Sequence, residues 1–465
     1  MLKRFFSNAA ANAFSGGMAA AYQLVVAALA VATWHGADFA AWGLAMSIAA
    51  MAPILSASLS SVMTRRLVEA RHRGPDIIEA AIVLAGRRIS WGLAGIAFAT
   101  LFLAGASIQG SSDVGALSTG KFLVLLTIML STNAWLLLWQ VRFGQHYADE
   151  LNWLPALTLA IARAGGVAGM IGTLAFGSRD LTVVALGLAA GTWIALLAAH
   201  LALPSPRRIG SAISPTPMEV RNQLRINLRV QFGFAIGSAS SLIVQYSIPP
   251  LIALIEPQHF NAFYLASTVN VVVVGLLSAA MLALLAPFTR WHAIGASRRV
   301  RRIALLSPAL CAGLSLAVLY ACWLMLEIIL DALAVHTSDI ADIRLFLALL
   351  GLQTIVRTSA MGFATIVAAA GTSRQMSIPL MIEMLLAFTV AVPLGWLFGV
   401  QGLLLGLTLA ALVGSQFSSR PFTLLFMTAG TPARAAFASL MAAQLIGSAI
   451  WWLIVGPSTF TTALL

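Results

Sequence analysis

A short string near the N-terminus, FAAWGLA at Phe39–Ala45, returns in altered form as FNAFYLA at Phe260–Ala266. Each copy of the string opens a long apolar stretch. The dipeptide Phe-Gly at 176–177 also returns, at 398–399, and the offset between its copies is almost the same as the offset between the strings. Self-similarity at a nearly constant offset indicates a duplicated unit. The chain is therefore predicted to consist of two similar halves in the same orientation.

Apolar runs long enough to cross a hydrocarbon core of about 30 Å recur along the whole chain. With 60% hydrophobic and only 9% charged residues, the composition lies far outside that of soluble globular proteins. The predicted membrane helices lie at 12–34, 40–63, 89–108, 121–141, 153–176, 181–203, 230–255, 261–288, 303–329, 343–370, 376–398, 402–427 and 435–456. The expected fold class is an all-α polytopic membrane protein with two six-helix lobes related by pseudo-two-fold symmetry. One or two extra helices follow at the C-terminus.

The domain organisation follows from these runs. We expect an N-terminal lobe at 1–203, a cytoplasmic linker at 204–229, a C-terminal lobe at 230–427 and an additional transmembrane segment at 428–465. The segments 64–88 and 204–229 mix arginine with Ile, Val and Leu, which suits amphipathic helices on an anionic leaflet. A solvated connector explains the same composition equally well.

The basic residues determine the expected orientation. The net charge is +12, but the arginines are spread over alternate loops and form no single patch, so we expect no nucleic-acid partner. If the N-terminus lies inside, nearly all Lys and Arg residues fall in cytoplasmic loops, and only Lys121, Arg179 and Arg344 fall outside. This skew follows the positive-inside rule. It predicts a multi-pass protein of a cytoplasmic membrane with a cytoplasmic N-terminus.

Three charged residues lie well inside predicted spans: Arg163, Arg357 and Glu383. An arginine at mid-membrane costs about 2.5–3.5 kcal/mol on insertion scales, so it normally faces a partner or a water-filled cavity. One interpretation is a cationic substrate cavity in which Glu383 titrates or forms an ion pair. The structural alternative is a salt bridge such as Arg357 with Glu383.

Polar side chains on other spans are further candidates for the substrate cavity. Several recur near one face of the first helix of each half, where they either line a cavity or hydrogen-bond a neighbouring helix. The candidates are Asn12, Gln23 and Gln245, together with Asn133 in the fourth span and Asn270 in the eighth.

Glycine pairs at 165/169, 187/191, 233/237 and 402/406 predict close helix packing. No hydrolase, phosphoryl-transfer or metal motif occurs, so we expect no catalytic residue, metal or cofactor, and coupling to a proton or sodium gradient stays open.

Parallel halves of this kind occur in alternating-access transporters, which bind substrate between the halves. The chain also shows a family resemblance in its opening Ser7-Asn8-Ala9-Ala10-Ala11-Asn12, in the Phe39–Ala45 string and in the exit Thr64-Arg65-Arg66. In these features it resembles the O-antigen (Wzx-type) flippases of the multidrug/oligosaccharidyl-lipid/polysaccharide (MOP) exporter superfamily. Members of that family commonly have twelve or fourteen spans, so a count of thirteen departs from the pattern.

The resemblance implies that a lipid-linked oligosaccharide on undecaprenyl pyrophosphate is turned from the inner to the outer face for surface polysaccharide, including lipopolysaccharide, biosynthesis. It also implies membrane lipids, a polysaccharide polymerase and other assembly proteins as partners. A cation-coupled multidrug or small-molecule antiporter of the same fold is the main alternative. Such a protein would favour embedded acidic residues, whereas Glu383 is the only one placed deeply in a predicted span. A membrane-embedded polymerase or ligase would be expected to carry a large outer loop, and the predicted outer loops are short.

Overall fold

The computed structural model describes residues 2–52, 59–73, 76–111, 118–149, 151–204, 215–293, 297–332, 337–370, 373–426 and 431–463. Every regular element within these residues is helical. The α-helices are α1 (Leu2–Thr33), α2 (Gly36–Ala49), α3 (Leu59–Arg73), α4 (Asp76–Ser111), α5 (Thr119–Leu138), α6 (Gln140–Ala148), α7 (Trp153–Ala175), α8 (Leu181–Ala202), α9 (Pro217–Ile255), α10 (Phe260–Ala293), α11 (Ser297–Ala332), α12 (Thr337–Ser359), α13 (Met361–Ala370), α14 (Ser373–Leu386), α15 (Val392–Phe426) and α16 (Thr431–Ala463). A 3-10 turn at Pro257–His259 precedes α10, and a π-helical segment at Ala387–Ala391 joins α14 to α15.

Nine helical segments of the described residues are long and apolar enough to cross a membrane. The expected all-α polytopic membrane class is therefore confirmed. One of the nine, Ser377–Ser418, contains a reversal of the chain at Phe398 and Gly399 and so supplies two arms. The sequence-derived total of thirteen spans stays a prediction.

Internal contacts divide the chain into two compact units. The middle unit is Ala41–Pro250, and the terminal unit combines Met1–Ala40 with Leu251–Leu465. The N-terminal helix α1 belongs to the terminal unit, where it packs against α10. These divisions differ from the sequence-derived boundaries at 203/204, 229/230 and 427/428, which stay predictions for the membrane lobes.

The repeated aromatic strings occupy similar environments. Phe39 and Phe260 are both buried, and Trp42 and Phe263, three residues further along each string, are completely buried. Within the terminal unit, the edge of one ring in the Phe39–Tyr264 pair meets the face of the other at 5.7 Å between centroids. Large aromatic side chains bury much apolar area, which explains why both copies keep a ring at these positions.

In the middle unit, α7 and α8 form a tight antiparallel hairpin. A Cβ added at Gly169 would lie 2.1 Å from the carbonyl oxygen of Gly187, and one added at Gly191 would lie 2.1 Å from that of Gly165. The two backbones therefore touch directly, as the glycine pairs at 165/169 and 187/191 predict. Asp180 caps α8 by accepting hydrogen bonds from the backbone N–H groups of Thr182 and Val183.

The terminal unit contains a second hairpin, inside what is nominally one helix. The arms of the hairpin meet at matching positions: a Cβ at Gly402 would lie 2.3 Å from the carbonyl oxygen of Leu394, and one at Gly406 would lie 2.5 Å from Cα of Ala391. These residues would be far apart in a continuous helix, so the chain must reverse between them. The glycine pair at 402/406 thus packs closely, as predicted. The side-chain surroundings of Gly233 and Gly237 lie outside the described part of the chain.

The described parts of two segments interpreted as surface helices or connectors, 64–88 and 204–229, belong to packed helices. Leu59, Met63 and Leu67 of α3 are buried in one cluster with residues of α4 and α6. Residues 217–229 of the expected linker form the first turns of α9, which continues without interruption to Ile255. Val220 near the start of α9 packs against Ala81 and Ala85 of α4.

The last helix, α16, is an integral part of the terminal unit. Trp451 is completely buried, and its indole Nε1 donates a hydrogen bond to the carbonyl oxygen of Ala348 on α12 at 2.8 Å. Close by, Gly351 leaves the space that this indole fills, because an added Cβ would lie 2.5 Å from Nε1. Ser439 donates to the carbonyl oxygen of Leu305 on α11 at 2.6 Å. These bonds fix α16 against two helices.

Candidate functional site

The candidate site contains a buried ion pair. Arg357, in the last turn of α12, places its Nε 3.1 Å from Oε1 of Glu383 on α14, with side-chain exposures of only 14% and 6%. Gly414 on α15 packs against the glutamate, since a Cβ at Gly414 would lie 2.7 Å from Cβ of Glu383. The salt bridge proposed as the structural alternative is therefore present. Whether either residue also lines a substrate cavity stays a prediction.

Local irregularity surrounds Glu383. Pro379 lies inside α14 one turn before the glutamate, and the π-helical segment Ala387–Ala391 begins one turn after it. A proline removes a backbone hydrogen bond, and π-bulges occur frequently at functional positions in helices. The glutamate thus lies on a short stretch of regular helix between two weakened turns.

A glutamine network adjoins the ion pair, and sequence reasoning missed it. The amide nitrogen of Gln444 on α16 donates to the carbonyl oxygen of Val356 at 2.9 Å and to the hydroxyl of Ser415 at 2.8 Å. Its amide oxygen accepts from Gln416 at 2.7 Å. The network therefore joins α12, α15 and α16 one residue away from both Arg357 and Gly414. A glutamine within a long apolar run is the only sequence signal that could have identified it.

Asn270, predicted as a cavity residue, belongs to a second polar contact of the terminal unit. Its side-chain oxygen accepts a hydrogen bond from the hydroxyl of Thr354 on α12. One turn further along α12, Thr358 shares a hydrogen bond of 2.6 Å with Ser315 on α11. The face of α12 that bears Thr354 and Thr358 thus carries polar contacts to α10 and α11 close to Arg357.

Arg163 and Asn133 belong to the middle unit, so they are assigned to a different unit from Glu383. Arg163 lies on α7, within electrostatic reach of the phenol of Tyr246 on α9. The amide nitrogen of Asn133 donates to the carbonyl oxygen of Met129 on its own helix at 3.1 Å. These contacts do not test whether either residue lines a cavity.

The remaining predicted site residues lie on the first helix of each predicted half. Gln23 is half-buried on α1. The side chains of Asn12 on α1 and Gln245 on α9 lie outside the described part of the structure. Their assignment to the cavity stays a prediction. Among the described residues, no three His, Cys, Asp or Glu side chains converge in a way that could hold a metal ion.

An arginine outside the membrane-spanning segments shows how this chain builds a purely structural ion pair. The guanidinium of Arg71 on α3 contacts Oε1 of Glu79 on α4 and Oδ1 of Asp149 after α6, each at 2.8 Å. Burial opposes the charge on Arg71, but the two carboxylates outweigh it and raise the pKa of the guanidinium above its ordinary value. Three elements of the middle unit are thereby joined.

Comparison with known proteins identifies the fold. No protein-family profile and no curated protein matches the chain. Among solved structures, the lipid II flippase MurJ in an inward closed conformation aligns with a TM-score of 0.66 at 13% identity, covering 96% of this chain and 99% of that one. An inward-facing multidrug resistance MATE family transporter of the MOP superfamily aligns with a TM-score of 0.66 at 16% identity, covering 88% and 96%.

A MOP superfamily transporter from Pyrococcus furiosus, whose binding pocket is described as having reverse polarity, aligns with a TM-score of 0.63 at 14% identity, covering 96% of both chains. At such identities the similarity shows the fold, which is the two-lobe fold of MOP superfamily transporters. The expected fold class is thus confirmed. The three matched proteins are transporters or flippases, and none of them is an enzyme.

Proposed function

We propose that this protein is a flippase that moves a lipid-linked oligosaccharide on undecaprenyl pyrophosphate across a bacterial cytoplasmic membrane by alternating access. The observation that carries the proposal is the Arg357–Glu383 ion pair, buried among apolar helices of a transporter fold. A buried ion pair is often no more stable than apolar residues of similar volume, so stability alone explains it poorly. A better reason for the ion pair is that an anionic headgroup can draw the arginine away from its glutamate.

The chemistry of the cargo fits this assignment. A pyrophosphate that leaves water without compensating charge meets a large desolvation penalty, and a guanidinium offers a bidentate fork to phosphate oxygens. Arg163 and Arg357 supply such charges within predicted spans, with polar side chains such as Asn270 for sugar hydroxyls. Glu383 either holds Arg357 until cargo displaces it or takes up a proton during the return step.

A second candidate is a cation-coupled multidrug or small-molecule antiporter. MATE family multidrug transporters align with this chain about as well as MurJ does, which is the observation that favours it. In that case Glu383 would be the coupling group and Arg357 its resting partner. The excess of arginine over acidic residues inside the predicted spans favours the anionic cargo.

Export of surface polysaccharide tests the proposal in the native host, with the chromosomal gene replaced by variants. Arg163→Ala and Arg357→Ala should each reduce export while the protein remains in the membrane. Lysine at either position should restore part of it, because lysine keeps the charge and loses the fork. Glu383→Gln separates the two roles of the glutamate, since only proton uptake predicts a lost dependence on external pH. Normal export with both arginines replaced would refute the flippase assignment and favour the antiporter.

A further inference from the structure

Two kinds of arginine lie near the junction of α5 and α6 in the middle unit. Arg71 is closed off by the carboxylates of Glu79 and Asp149, as described above. Arg142, on the first turn of α6, is half-buried yet has no carboxylate partner among the described residues. Its contacts are instead with an aromatic ring and an imidazole. The charge of Arg71 is thus neutralised by its own carboxylates, whereas the charge of Arg142 remains available to a ligand.

The contacts of Arg142 leave most of its donors unused. Its Cζ lies 5.4 Å from the centre of the Trp139 ring, a cation–π contact that uses a face of the guanidinium and none of its N–H groups. Its Nε donates one long hydrogen bond, 3.5 Å, to Nε2 of His146. An arginine has five N–H donors in a planar fork. The fork of Arg142 is therefore held in place on one side and is available to an oxyanion.

His146 orients the arginine. The residue is only 3% exposed, and its Nδ1 makes no hydrogen bond within the described part of the chain. Because Nε2 accepts from Arg142, the proton of the neutral ring belongs on Nδ1. The two ring nitrogens point in widely diverging directions, so Nδ1 faces away from Arg142 and the imidazole serves to hold the guanidinium.

The position along the helix suits a lipid headgroup. The candidate span runs from Thr119 to Ala148, and its part up to Trp139 already rises by about 30 Å, the thickness of the hydrocarbon core. Trp139 lies at the break between α5 and α6, and the His200 ring, on the last turn of α8, meets the Trp139 ring edge-to-face at 5.6 Å. Tryptophan and basic residues favour this boundary depth.

More positive charge lies on the neighbouring helix. Gly86 on α4 packs against Val141, because a Cβ at Gly86 would lie 3.5 Å from Cγ2 of that valine. The next two residues on α4, Arg87 and Arg88, are exposed and form no ion pair with described residues. Arg87, Arg88 and Arg142, none of which pairs with a described carboxylate, thus lie within one helical turn of the contact between Gly86 and Val141.

We propose that Arg142, positioned by Trp139 and His146, anchors a binding subsite for the phosphate headgroup of a membrane lipid. A guanidinium fork matches phosphate oxygens, and the hydrogen bond to His146 limits how the fork can turn. Arg87 and Arg88 attract the anion from the surface. The identity of the lipid as transported cargo rests on the proposed function, whereas the binding of a phosphate headgroup does not.

Native mass spectrometry of the detergent-purified full chain tests the subsite. The protein is titrated with phosphatidylcholine as the zwitterionic baseline, with phosphatidylglycerol and with undecaprenyl pyrophosphate. Relative to phosphatidylcholine, Arg142→Gln should weaken binding of at least one of the two anionic lipids about tenfold or more, as expected for lost charge-assisted hydrogen bonds. Arg142→Lys should weaken it less, since the charge remains. Arg302→Gln, which removes an exposed arginine of the terminal unit, serves as the matched control.

The two lipid arms identify the source of the phosphate. A loss confined to undecaprenyl pyrophosphate supports a cargo subsite, and an equal loss for phosphatidylglycerol supports a subsite for bulk anionic lipid. Arg142→Gln protein that melts like wild type and binds both anionic lipids like wild type would overturn the subsite. The titration measures lipid binding and not transport. Normal export after replacement of Arg163 and Arg357 would therefore refute the proposed flippase function without affecting the conclusion about this subsite.

Discussion

Gly177 and Gly399 occupy the corners of two helical hairpins at equivalent places in the sequence repeat, and both have a positive φ, +80° and +66°. Each follows a phenylalanine that is largely exposed, 94% at Phe176 and 68% at Phe398. The corners differ in what surrounds them. Glu256 reaches the second corner and accepts a hydrogen bond from the backbone N–H of Val400 at 3.1 Å, whereas nothing lies within 4 Å of a Cβ built at Gly177.

This difference predicts unequal effects of the same substitution. At Gly399, with φ +66° and ψ −156°, the backbone is in a region that only glycine adopts readily. An added Cβ would also lie 2.2 Å from the Glu256 carboxylate and displace it from Val400. Gly399→Ala should therefore lower the free energy of unfolding by about 3 kcal/mol or more. Thermal unfolding of the purified protein in detergent measures the effect.

Gly177→Ala is the matched control, because it adds the same methyl group at an open corner. It should cost only the positive-φ penalty, about 1–2 kcal/mol. Glu256→Ala should reproduce the part of the Gly399→Ala effect that comes from the lost cap. Equal melting temperatures for the two alanine variants would contradict the role of Glu256.

The gaps between the predicted spans 153–176 and 181–203, and between 376–398 and 402–427, thus predicted where both hairpins turn. Glycine spacing predicted the backbone contact between α7 and α8. The polar cluster around Gln444 could not be predicted, because its bond to Val356 joins two helices that are distant in sequence. A single polar residue in an apolar helix forms no periodic pattern, so the sequence does not indicate which residue it contacts. The partner of Arg357 was identified as one of two possibilities, since mid-membrane charge demands either a counter-ion or water.

The backbone contact between α7 and α8 makes a second prediction. Gly169→Ala should destabilise the middle unit by about 1–3 kcal/mol, because the new Cβ would push against the carbonyl oxygen of Gly187. Gly172→Ala, on the same helix, meets nothing within 4 Å and should be neutral or stabilising by about 0.5–1 kcal/mol. Melting curves of both variants decide the point. A harmless Gly169→Ala would mean that the helices are not in backbone contact.

The Arg71 cluster makes a third prediction. Arg71→Ala leaves the largely buried carboxylates of Glu79 and Asp149 without their cation and should lower stability by about 2–4 kcal/mol. Arg87→Ala removes an exposed arginine of the next helix and should change stability by less than about 0.5 kcal/mol. Chemical denaturation monitored by circular dichroism compares them. Similar losses for both variants would indicate a general effect of positive charge on insertion.

The distribution of basic residues makes a fourth prediction, on topology. Reporter fusions should place 64–88, 204–229 and 290–302 in the cytoplasm and the C-terminus outside, because Lys and Arg near membrane helices are retained on the inner side. At each site, a reporter that is active only in the cytoplasm is paired with one that is active only outside it, so the two give opposite signals. A cytoplasmic C-terminus with the other sites as expected would show an even number of spans. The two-lobe fold would survive that result.

The last prediction separates the structural and transport roles of the ion pair between Arg357 and Glu383. Each single change, Arg357→Glu or Glu383→Arg, buries two like charges across a contact that is now 3.1 Å and should destabilise the terminal unit by about 3–5 kcal/mol or more. The double reversal restores opposite charges across the same contact and should recover most of the lost stability. Export should not recover, because the guanidinium then lies on α14 and a carboxylate lies where the headgroup is expected to bind. Melting temperature and surface polysaccharide are therefore measured on the same three variants. Recovery of both would show that the pair acts only as a helix contact, and the anion-binding role of Arg357 would have to be abandoned.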